Sequence, residues 1–381
     1  MELNSQQQRR RAEFRQFVDA HVVPEANAWD RQELMPPEIV QQLASRGYLG
    51  AVVPVKEGGF DSIEFGLLNE ELGRGCSSLR SLLTVHSMVA LTISRWGTPA
   101  LKAQWLEKLR QGQAIGAFAL TEAEAGSDAR EIRTEAIDSG EDFVLTGHKK
   151  WITFGQTADL FLVFAKSQRG HCAFAVERNV PGLQISPVHG MLGTRASMMA
   201  ELRFEQCRVP RRNLIGATGF GLSHIASSAL DCGRYSVAWG CVGIGQACLE
   251  SCLQYASQRK QSGYPLREQQ LIQRMITQMV AGVKAARMLC FHAGQLRDAG
   301  DPDSMIETSI AKYFASKTAT DIARDAVQIH GAIGCSSQYP VERFYRDSKI
   351  MEIIEGSNEI QEITIAQNAF AAVAESVAAA R

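Results

Sequence analysis

Glu355 has surroundings that are hard to reconcile with an ordinary surface acid. It lies in KIMEIIEGSNEIQEI, residues 349–363, after Ile353 and Ile354 and directly before Gly356. A carboxylate among apolar side chains loses hydration and its pKa rises, so the position is unfavourable unless the charge is paired or used. A carboxylate with a pKa near neutrality suits general-base catalysis. The alternative is a partly solvated acid in a loop.

Two further clusters combine residue types that bind ligands. FALTEAEAGSDA, residues 118–129, has the pattern of a short strand followed by a turn of small residues, whose exposed backbone N–H groups can hold a phosphate or a carbonyl-rich ring. In KKWITFG, residues 149–155, Trp151 and Thr153 flank one apolar residue of a predicted strand, which places an aromatic wall beside a hydroxyl donor. Taken alone, the first cluster also fits an ordinary strand and turn, and the second a well-packed strand.

The periodicity of apolar residues divides the chain into three parts. Residues 5–112 show apolar positions three and four apart, ended by glycine or preceded by proline, as in α-helices. Between residues 113 and 217 the period shortens toward two, in short segments rich in branched and aromatic residues. Long helical runs with short connections return from residue 218. We predict an α+β fold with an N-terminal helical domain (1–112), a middle β domain (113–217) and a C-terminal helical bundle domain (218–381).

The composition argues against several classes of function. The chain of 381 residues carries 40 basic and 41 acidic side chains, so we expect no nucleic-acid partner. No stretch reaches the roughly 18–20 unbroken apolar residues of a membrane helix, and the N-terminal segment lacks the apolar region of a signal peptide. The nine cysteines include no CxxC pair, which predicts reduced thiols in a cytoplasmic protein without a metal site. GCVGIG, residues 240–245, follows no predicted strand, so its glycines indicate close helix packing rather than dinucleotide binding.

The three clusters, in this order and on this helix–β–helix plan, resemble the flavin-dependent acyl-CoA dehydrogenase family over essentially the whole chain. The motifs that carry the resemblance are FALTEAEAGSD, WIT, SQRKQ, AVQIHGAIG and RDSKIMEIIEGSNEIQ. The resemblance implies a helical domain, a middle β-barrel-like domain and a C-terminal four-helix bundle, with FAD between the last two, in a homotetramer or dimer. It also implies that an acyl thioester loses an alpha proton to the protein and a beta hydride to the flavin.

The matching motifs assign roles to individual residues. Glu355 matches the catalytic base. Some relatives carry the base instead on the residue before an arginine in the first bundle helix, which here is Gly233, so Glu355 stands alone. The positions that match cofactor contacts, in the same or a neighbouring subunit, are Phe118, Leu120, Thr121, Gly126, Ser127, Trp151, Thr153, Arg259, Gln270, Gln328, Gly331, Ser357 and Glu359. Those that match substrate contacts are Ser127, Arg234 and Gly356.

Several positions are informative about detail. Asn358 and Gln361 resemble a capping pair that opens the last helix. Ala123, Ser262 and Ala332 replace a proline, an aromatic residue and a glycine of the family pattern, and the last two weaken the match on the adenosine side of the cofactor.

Finer features resemble the branch of the family that makes methoxymalonyl or aminomalonyl extender units for polyketide and nonribosomal peptide pathways. CSSLRS (76–81), GRYSVAWGCVGI (233–244) and YRDSKIMEIIEGSNE (345–359) carry this likeness. It implies a short polar acyl group on an acyl carrier protein, with Arg80 either a partner of its polar end or a surface helix residue. One alternative is a short-chain acyl-CoA dehydrogenase of fatty or amino acid catabolism. Another, of a different class, is a non-catalytic thioester-binding or scaffold protein. Electrons would pass to an electron-transfer flavoprotein or another acceptor.

Overall fold

The computed structural model describes residues 2–54 and 58–379 and has helical parts on either side of a sheet. In these residues the α-helices are α1 (Ser5–His21), α2 (Ala26–Gln32), α3 (Pro37–Ser45), α4 (Ser62–Gly75), α5 (Ser77–Trp96), α6 (Pro99–Arg110), α7 (Ser227–Gln258), α8 (Gln270–Ala299), α9 (Ser304–His330), α10 (Val341–Ile353) and α11 (Asn358–Ala379). None of the described helices is long and apolar enough to cross a bilayer. The predicted α+β class, with helical terminal parts and a β middle part, is confirmed. The boundaries at 112/113 and 217/218 stay predictions.

The strands form one large mixed sheet and a small hairpin. They are β1 (Gly116–Ala119), β2 (Glu135–Asp138), β3 (Asp142–Ile152), β4 (Leu160–Ser167), β5 (Gly170–Glu177), β6 (Leu183–Pro187), β7 (Ala200–Pro210), β8 (Leu214–Ile215), β9 (Lys260–Gln261) and β10 (Tyr264–Pro265). The sheet order is β6-β7-β3-β2-β4-β5-β8, with β1 parallel to β4. Leu162 and Phe164 of β4 pack into one apolar cluster, while Phe161 and Val163 pack into another on the opposite face. Both faces of this part of the sheet are therefore covered.

The N-terminal segment forms two helices. Residues 12–29, AEFRQFVDAHVVPEANAW, have helical periodicity throughout, but α1 ends at His21 and α2 begins at Ala26. Pro24 lies between them, has no backbone N–H to donate and disfavours the helical conformation of Val23. The interruption between α1 and α2 is therefore explained by Pro24, which is visible in the sequence.

Glycines allow α4 and α7 to pack at close range. A Cβ on Gly73 would lie 2.7 Å from Gly240 Cα, and a Cβ on Gly243 would collide with the carbonyl oxygen of Glu70. The prediction that the glycines of GCVGIG serve helix packing is confirmed. Because α4 and α7 belong to different parts of the chain, this contact fixes the N-terminal helices against the bundle.

A buried ion pair joins β3 to the loop after β1. Lys149 Nζ, fully buried, lies 2.7 Å from Glu122 Oε1 and 2.9 Å from the carbonyl oxygen of Leu120. Burial lowers the pKa of Lys149 to about 8 against the attraction of Glu122. Burial alone would raise the pKa of Glu122, but Lys149 and hydrogen bonds from Thr134 and Arg133 bring it below its usual value. The pair is thus charged, and it ties together the two clusters singled out in the sequence.

Candidate functional site

Glu355 occupies a strained turn between two helices. Helix α10 ends at Ile353 and α11 begins at Asn358. Glu355 has φ 56° and Gly356 has φ 93°, both in the left-handed region. Glycine adopts this region freely, whereas glutamate held in it costs on the order of 1 kcal/mol. A Cβ on Gly356 would also lie 2.6 Å from Gln361 Nε2. Both the backbone conformation and the lack of space therefore favour glycine at the second position of the turn.

The carboxylate of Glu355 is held without a hydrogen-bond donor. Its Oε2 atom is buried and has no hydrogen-bond partner among the described residues. Helix α7 places Gly233 directly against it: a Cβ there would be 2.5 Å from Oε2 and 3.1 Å from Met88 Sδ. Buried polar atoms are normally satisfied, so an exception of this kind calls for a functional explanation.

Three cations lie near this carboxylate, which forms no ion pair within the described part of the chain. Burial raises the pKa of Glu355 to about 7, and the charges of Arg234, Arg80 and Lys312 limit the rise. Arg234 Nε donates to the main-chain oxygen of Glu355 at 3.0 Å rather than to its carboxylate. The predicted substrate contact Arg234 therefore first serves to fix the turn. Its contact with substrate stays a prediction.

Arg80 is buried, which corrects the reading of it as a surface residue. Its side chain, on α5, is 1% exposed. The guanidinium donates to Thr84 Oγ1 and Ser81 Oγ, each at 2.9 Å, and lies 3.4 Å from Met351 Sδ. Its Nε has no partner, and no ion pair links Arg80 to any carboxylate of the described residues. Burying a cation in this way is costly, so an anionic or polar ligand is the natural partner.

The loop after β1 presents open donors. The ring centroids of Phe118 and Phe164 lie 5.1 Å apart, and the side chain of Leu120 is buried. Gly126 and Ser127 are exposed, and their backbone N–H groups have no acceptor among the described residues. Successive free N–H groups in a turn form a concavity that binds anions such as a pyrophosphate.

Trp151 stands at the edge of this loop. Its backbone has φ 61° and its side chain is 44% exposed, with Lys150 Nζ 4.8 Å from the ring centroid. Strand β3 ends at Ile152, so Thr153 lies just beyond the strand instead of on it, which corrects the sequence prediction. Lys150 N donates to Thr121 O at 2.9 Å and so joins the two clusters.

These features fit a flavin dinucleotide. An exposed indole offers a wall for a planar ring, the half-buried Thr121 and Thr153 offer hydroxyls, and the open N–H groups of the loop suit phosphates. Leu120 and Leu230 belong to one apolar cluster, and Leu230 precedes Arg234 by one turn of α7. The flavin-side loop and the Glu355 turn therefore meet around the start of α7.

Four predicted cofactor contacts lie far from Glu355 within the same chain: Arg259, Gln270, Gln328 and Gly331. Arg259 follows the end of α7 and is separated from Arg234 by about 37 Å of helix, at about 1.5 Å per residue. Gln328 and Gly331 lie at the end of α9, which is held beside the end of α7 by ring stacking between Tyr255 and His330 at 4.3 Å. The structure thus gathers these residues at one end of the bundle and does not bring them to the site around Glu355.

The start of α11 holds the last two predicted cofactor contacts. Ser357 is half-buried, and Glu359 is exposed in the first turn with its pKa lowered by a hydrogen bond to Ser357. The capping prediction for Asn358 is wrong, because its Oδ1 accepts from Lys312 Nζ at 3.0 Å. Gln361 donates instead to the carbonyl oxygen of Gly356 at 3.2 Å. Sequence reasoning did not anticipate Lys312 at this site.

Comparison with protein-family models accounts for nearly the whole chain. Residues 4–113, 117–207 and 219–370 match, respectively, "Acyl-CoA dehydrogenase, N-terminal domain", "Acyl-CoA dehydrogenase, middle domain" and "Acyl-CoA dehydrogenase, C-terminal domain". Among curated proteins, the mitochondrial short-chain specific acyl-CoA dehydrogenase of Rattus norvegicus is 37% identical over 374 residues, which cover 96% of this chain and 90% of the relative.

Solved structures show the same architecture. Butyryl-CoA dehydrogenase from Megasphaera elsdenii superposes with a TM-score of 0.93 at 33% identity, covering 97% of this chain and 99% of that one. FkbI, described as acting in biosynthesis of the methoxymalonyl extender unit of a polyketide, gives 0.86 at 33% identity over 95% and 99% of the two chains. The prolyl acyl carrier protein oxidase AnaB gives 0.91 at 28% identity over 96% and 99%.

Replacing the buried carboxylate by an amide tests the site. We expect Glu355→Gln to keep the fold, since the side chains are nearly isosteric, and to lose flavin reduction by acyl thioesters by on the order of 10²–10⁴-fold, the usual effect of removing a general base. Rapid anaerobic mixing that follows flavin absorbance measures the rate. Glu362→Gln, exposed on α11, is the matched control and should reduce at the wild-type rate. Near wild-type reduction by Glu355→Gln would show that another group takes the proton.

Proposed function

Since the chain belongs to the acyl-CoA dehydrogenase family, whose members are flavin-dependent oxidoreductases acting on CH–CH donors, we propose that it binds FAD and dehydrogenates a short, polar acyl thioester with Glu355 as the base. The observation that carries this proposal is the buried Oε2 of Glu355, which has no hydrogen-bond partner among the described residues. The same observation argues against a non-catalytic scaffold, because such a protein gains nothing from an unsatisfied carboxylate.

The chemistry follows from the placement of the groups. Bound FAD would supply the acceptor for the hydride of the beta carbon. Glu355 takes the proton from the alpha carbon as the C–H bond of that carbon breaks. The electron pair of this bond then forms the double bond between the alpha and beta carbons. Burial keeps the carboxylate basic near neutral pH by raising its pKa to about 7. The loop from Phe118 to Ser127, with Trp151 and Thr153, would hold the flavin and its phosphates.

Arg80 supports a polar acyl group. It projects from α5, and its charge interacts with that of Glu355, although the two make no ion pair. Thr84 and Ser236 add hydroxyls around it, with Ser236 Oγ donating to Asn69 Oδ1 at 2.6 Å. An alkyl chain would leave this guanidinium unpaired, whereas a carboxylate, hydroxyl or hydrated aldehyde would give it an acceptor.

An acyl carrier protein is the carrier that we propose. FkbI and AnaB, whose descriptions name an extender unit of a polyketide and an acyl carrier protein, share the fold over almost the full chain. This likeness supports our proposal that the reaction belongs to extender-unit biosynthesis for polyketides or nonribosomal peptides. The alternative, a short-chain acyl-CoA dehydrogenase of catabolism, is favoured by the 37% identity to the rat enzyme. An electron-transfer flavoprotein would take the electrons from the reduced enzyme.

The remote residues support assembly into a homo-oligomer, a tetramer or a dimer. Arg259, Gln270, Gln328 and Gly331 lie at one end of the bundle, too far along α7 and α9 to reach the cofactor of their own chain near Glu355. A cofactor contact at these positions therefore requires the flavin of a neighbouring subunit.

The carrier can be tested with matched acyl groups. We expect a short polar acyl group on an acyl carrier protein to reduce the flavin faster than the same group on coenzyme A, because a carrier protein docks through its acidic surface. The preference should shrink as salt rises, since surface charges are screened over about 10 Å at 0.1 M. Stopped-flow absorbance at several salt concentrations measures both effects. Efficient, salt-insensitive reduction by butyryl-coenzyme A would instead identify the catabolic enzyme.

The role of Arg80 can be tested separately. Arg80→Met keeps a similar length without the charge, so reduction by an anionic acyl group should fall by roughly 10- to 100-fold, the loss of a charge-assisted hydrogen bond. Reduction by butyryl thioesters should change little. Arg95→Met, exposed on the same helix, is the matched control. Equal losses with polar and apolar acyl groups would mean that Arg80 supports the fold alone.

Assembly and cofactor retention should be linked. Arg259→Ala should release FAD from the purified protein at lower dilution than wild type, because a charge-assisted contact to a neighbour's phosphate is lost. Equilibrium dialysis with flavin fluorescence measures retention, and sedimentation measures the oligomeric state. Arg203→Ala, exposed on β7, is the control. A monomer that keeps FAD as tightly as the oligomer would contradict the intersubunit site.

A further inference from the structure

Lys312 brings a buried ammonium to the turn that carries Glu355. The side chain is fully buried on α9. Its Nζ donates to the carbonyl oxygens of Glu352 at 3.3 Å and Gly356 at 2.9 Å, and to Asn358 Oδ1 at 3.0 Å. All three acceptors are uncharged and all lie within three residues of Glu355. A buried ammonium without a carboxylate partner is costly, so its presence requires a reason beyond packing.

Two cations hold consecutive carbonyl groups of the strained turn. Arg234 Nε from α7 binds the carbonyl oxygen of Glu355, and Lys312 Nζ from α9 binds that of Gly356. Ser316, one turn along α9 from Lys312, also donates to Asn358 Oδ1, at 2.8 Å. A left-handed conformation at a glutamate persists only where its surroundings fix it, and these contacts do so from both sides.

The charges that act on Glu355 come from three helices: Arg80 of α5, Arg234 of α7 and Lys312 of α9. The Cys232 thiol of α7 also faces Glu355. Asp231 of α7 acts on Arg234, while Glu352 of α10 and the Cys241 thiol of α7 act on Lys312. Asp231 is paired with Arg297. Burial keeps the pKa of the Cys232 thiol at about 12, so it is neutral near pH 7. Burial also lowers the pKa of Lys312 to about 8, so its ammonium is charged where Glu355 titrates.

We propose that Lys312 is a positioning residue, which fixes the left-handed turn of Glu355 and places an unpaired positive charge beside the base. This inference rests on the proposed function, because it assigns Lys312 a task in setting the ionisation of the group that takes the alpha proton. Asn358 contributes to this arrangement, because its uncharged Oδ1 orients the Lys312 ammonium without neutralising its charge. Since Arg234 and Arg80 are also unpaired with the carboxylate, Lys312 is one of three charges that favour the ionised base.

The ionisation of Glu355 is the property to measure. In Lys312→Met the midpoint of the Glu355 carboxyl should rise by about one pH unit, the lower end of the effect of a nearby opposite charge. Infrared absorption of the protonated carboxyl, taken as a difference against Glu355→Gln, reports this midpoint without substrate. Flavin reduction should follow the same shift, with at least a several-fold lower rate at pH 7 that recovers toward pH 9. Lys312→Arg should restore both, and Lys317→Met, exposed on α9, should change neither.

The outcomes separate this proposal from the proposed function. An unchanged infrared midpoint in Lys312→Met, with only a lower unfolding temperature, would overturn the positioning role. A shifted midpoint in a protein whose flavin no acyl thioester reduces would support the role of Lys312 and overturn the proposed function instead. If Lys312→Met fails to fold, Asn358→Asp provides a second test, because its carboxylate pairs with the ammonium and should also raise the midpoint. An unchanged midpoint there would overturn the proposal equally.

Discussion

One carboxylate, whose buried Oε2 has no hydrogen-bond partner among the described residues, constrains the rest of this site. An ordinary acid in such a position would take up a proton or find a donor. Here the surroundings supply cations at a distance and place their hydrogen bonds on the main chain, at the carbonyl groups of Glu355 and Gly356. The turn is thereby fixed while the carboxylate stays available. Burial and charge act on its pKa in opposite directions, and their balance leaves it close to neutrality.

A second buried lysine serves the flavin side by the opposite arrangement. Lys149 has a carboxylate partner, Glu122, which also accepts from the backbone N–H groups of Arg133 and Thr134. This pair neutralises both charges and stabilises the loop. Lys312, by contrast, donates only to neutral acceptors among the described residues. Under the proposed role of Lys312, one residue type supports the structure in one place and modifies the chemistry of a neighbour in another.

Much of the fold could be predicted from the sequence because apolar periodicity reports directly on which face of a helix or strand is buried. The unusual environment of Glu355 could also be predicted, since an acidic residue directly after two isoleucines is visible in the local sequence. What failed depended on contacts between distant segments. Asn358 has the pattern of a helix cap, but a lysine 46 residues earlier takes its oxygen. Thr153 has the pattern of a strand residue, but the pairing of β3 with β7 is irregular between Lys149 and Ile152, where Trp151 is left-handed, and the strand ends at Ile152.

Lys312 and Arg80 illustrate the same limit for charged residues. Each lies in a helix where sequence alone favours a long side chain that reaches solvent from an apolar surface. Their burial depends on which helices pack over them, and on glycines such as Gly240, whose missing side chain leaves room for the Arg80 stem. The sequence around Arg80 does not predict the space that Gly240 leaves for its side chain.

Gly233 has a consequence for how such enzymes can diverge. A Cβ at residue 233 would lie 2.5 Å from Glu355 Oε2, so any side chain there would overlap the carboxylate. Acids at residues 233 and 355 are therefore sterically exclusive in this fold. A lineage that moved the acid from residue 355 to residue 233 by single substitutions would pass through an ancestor with either two acids in one volume or none. Such a move therefore needs both substitutions together.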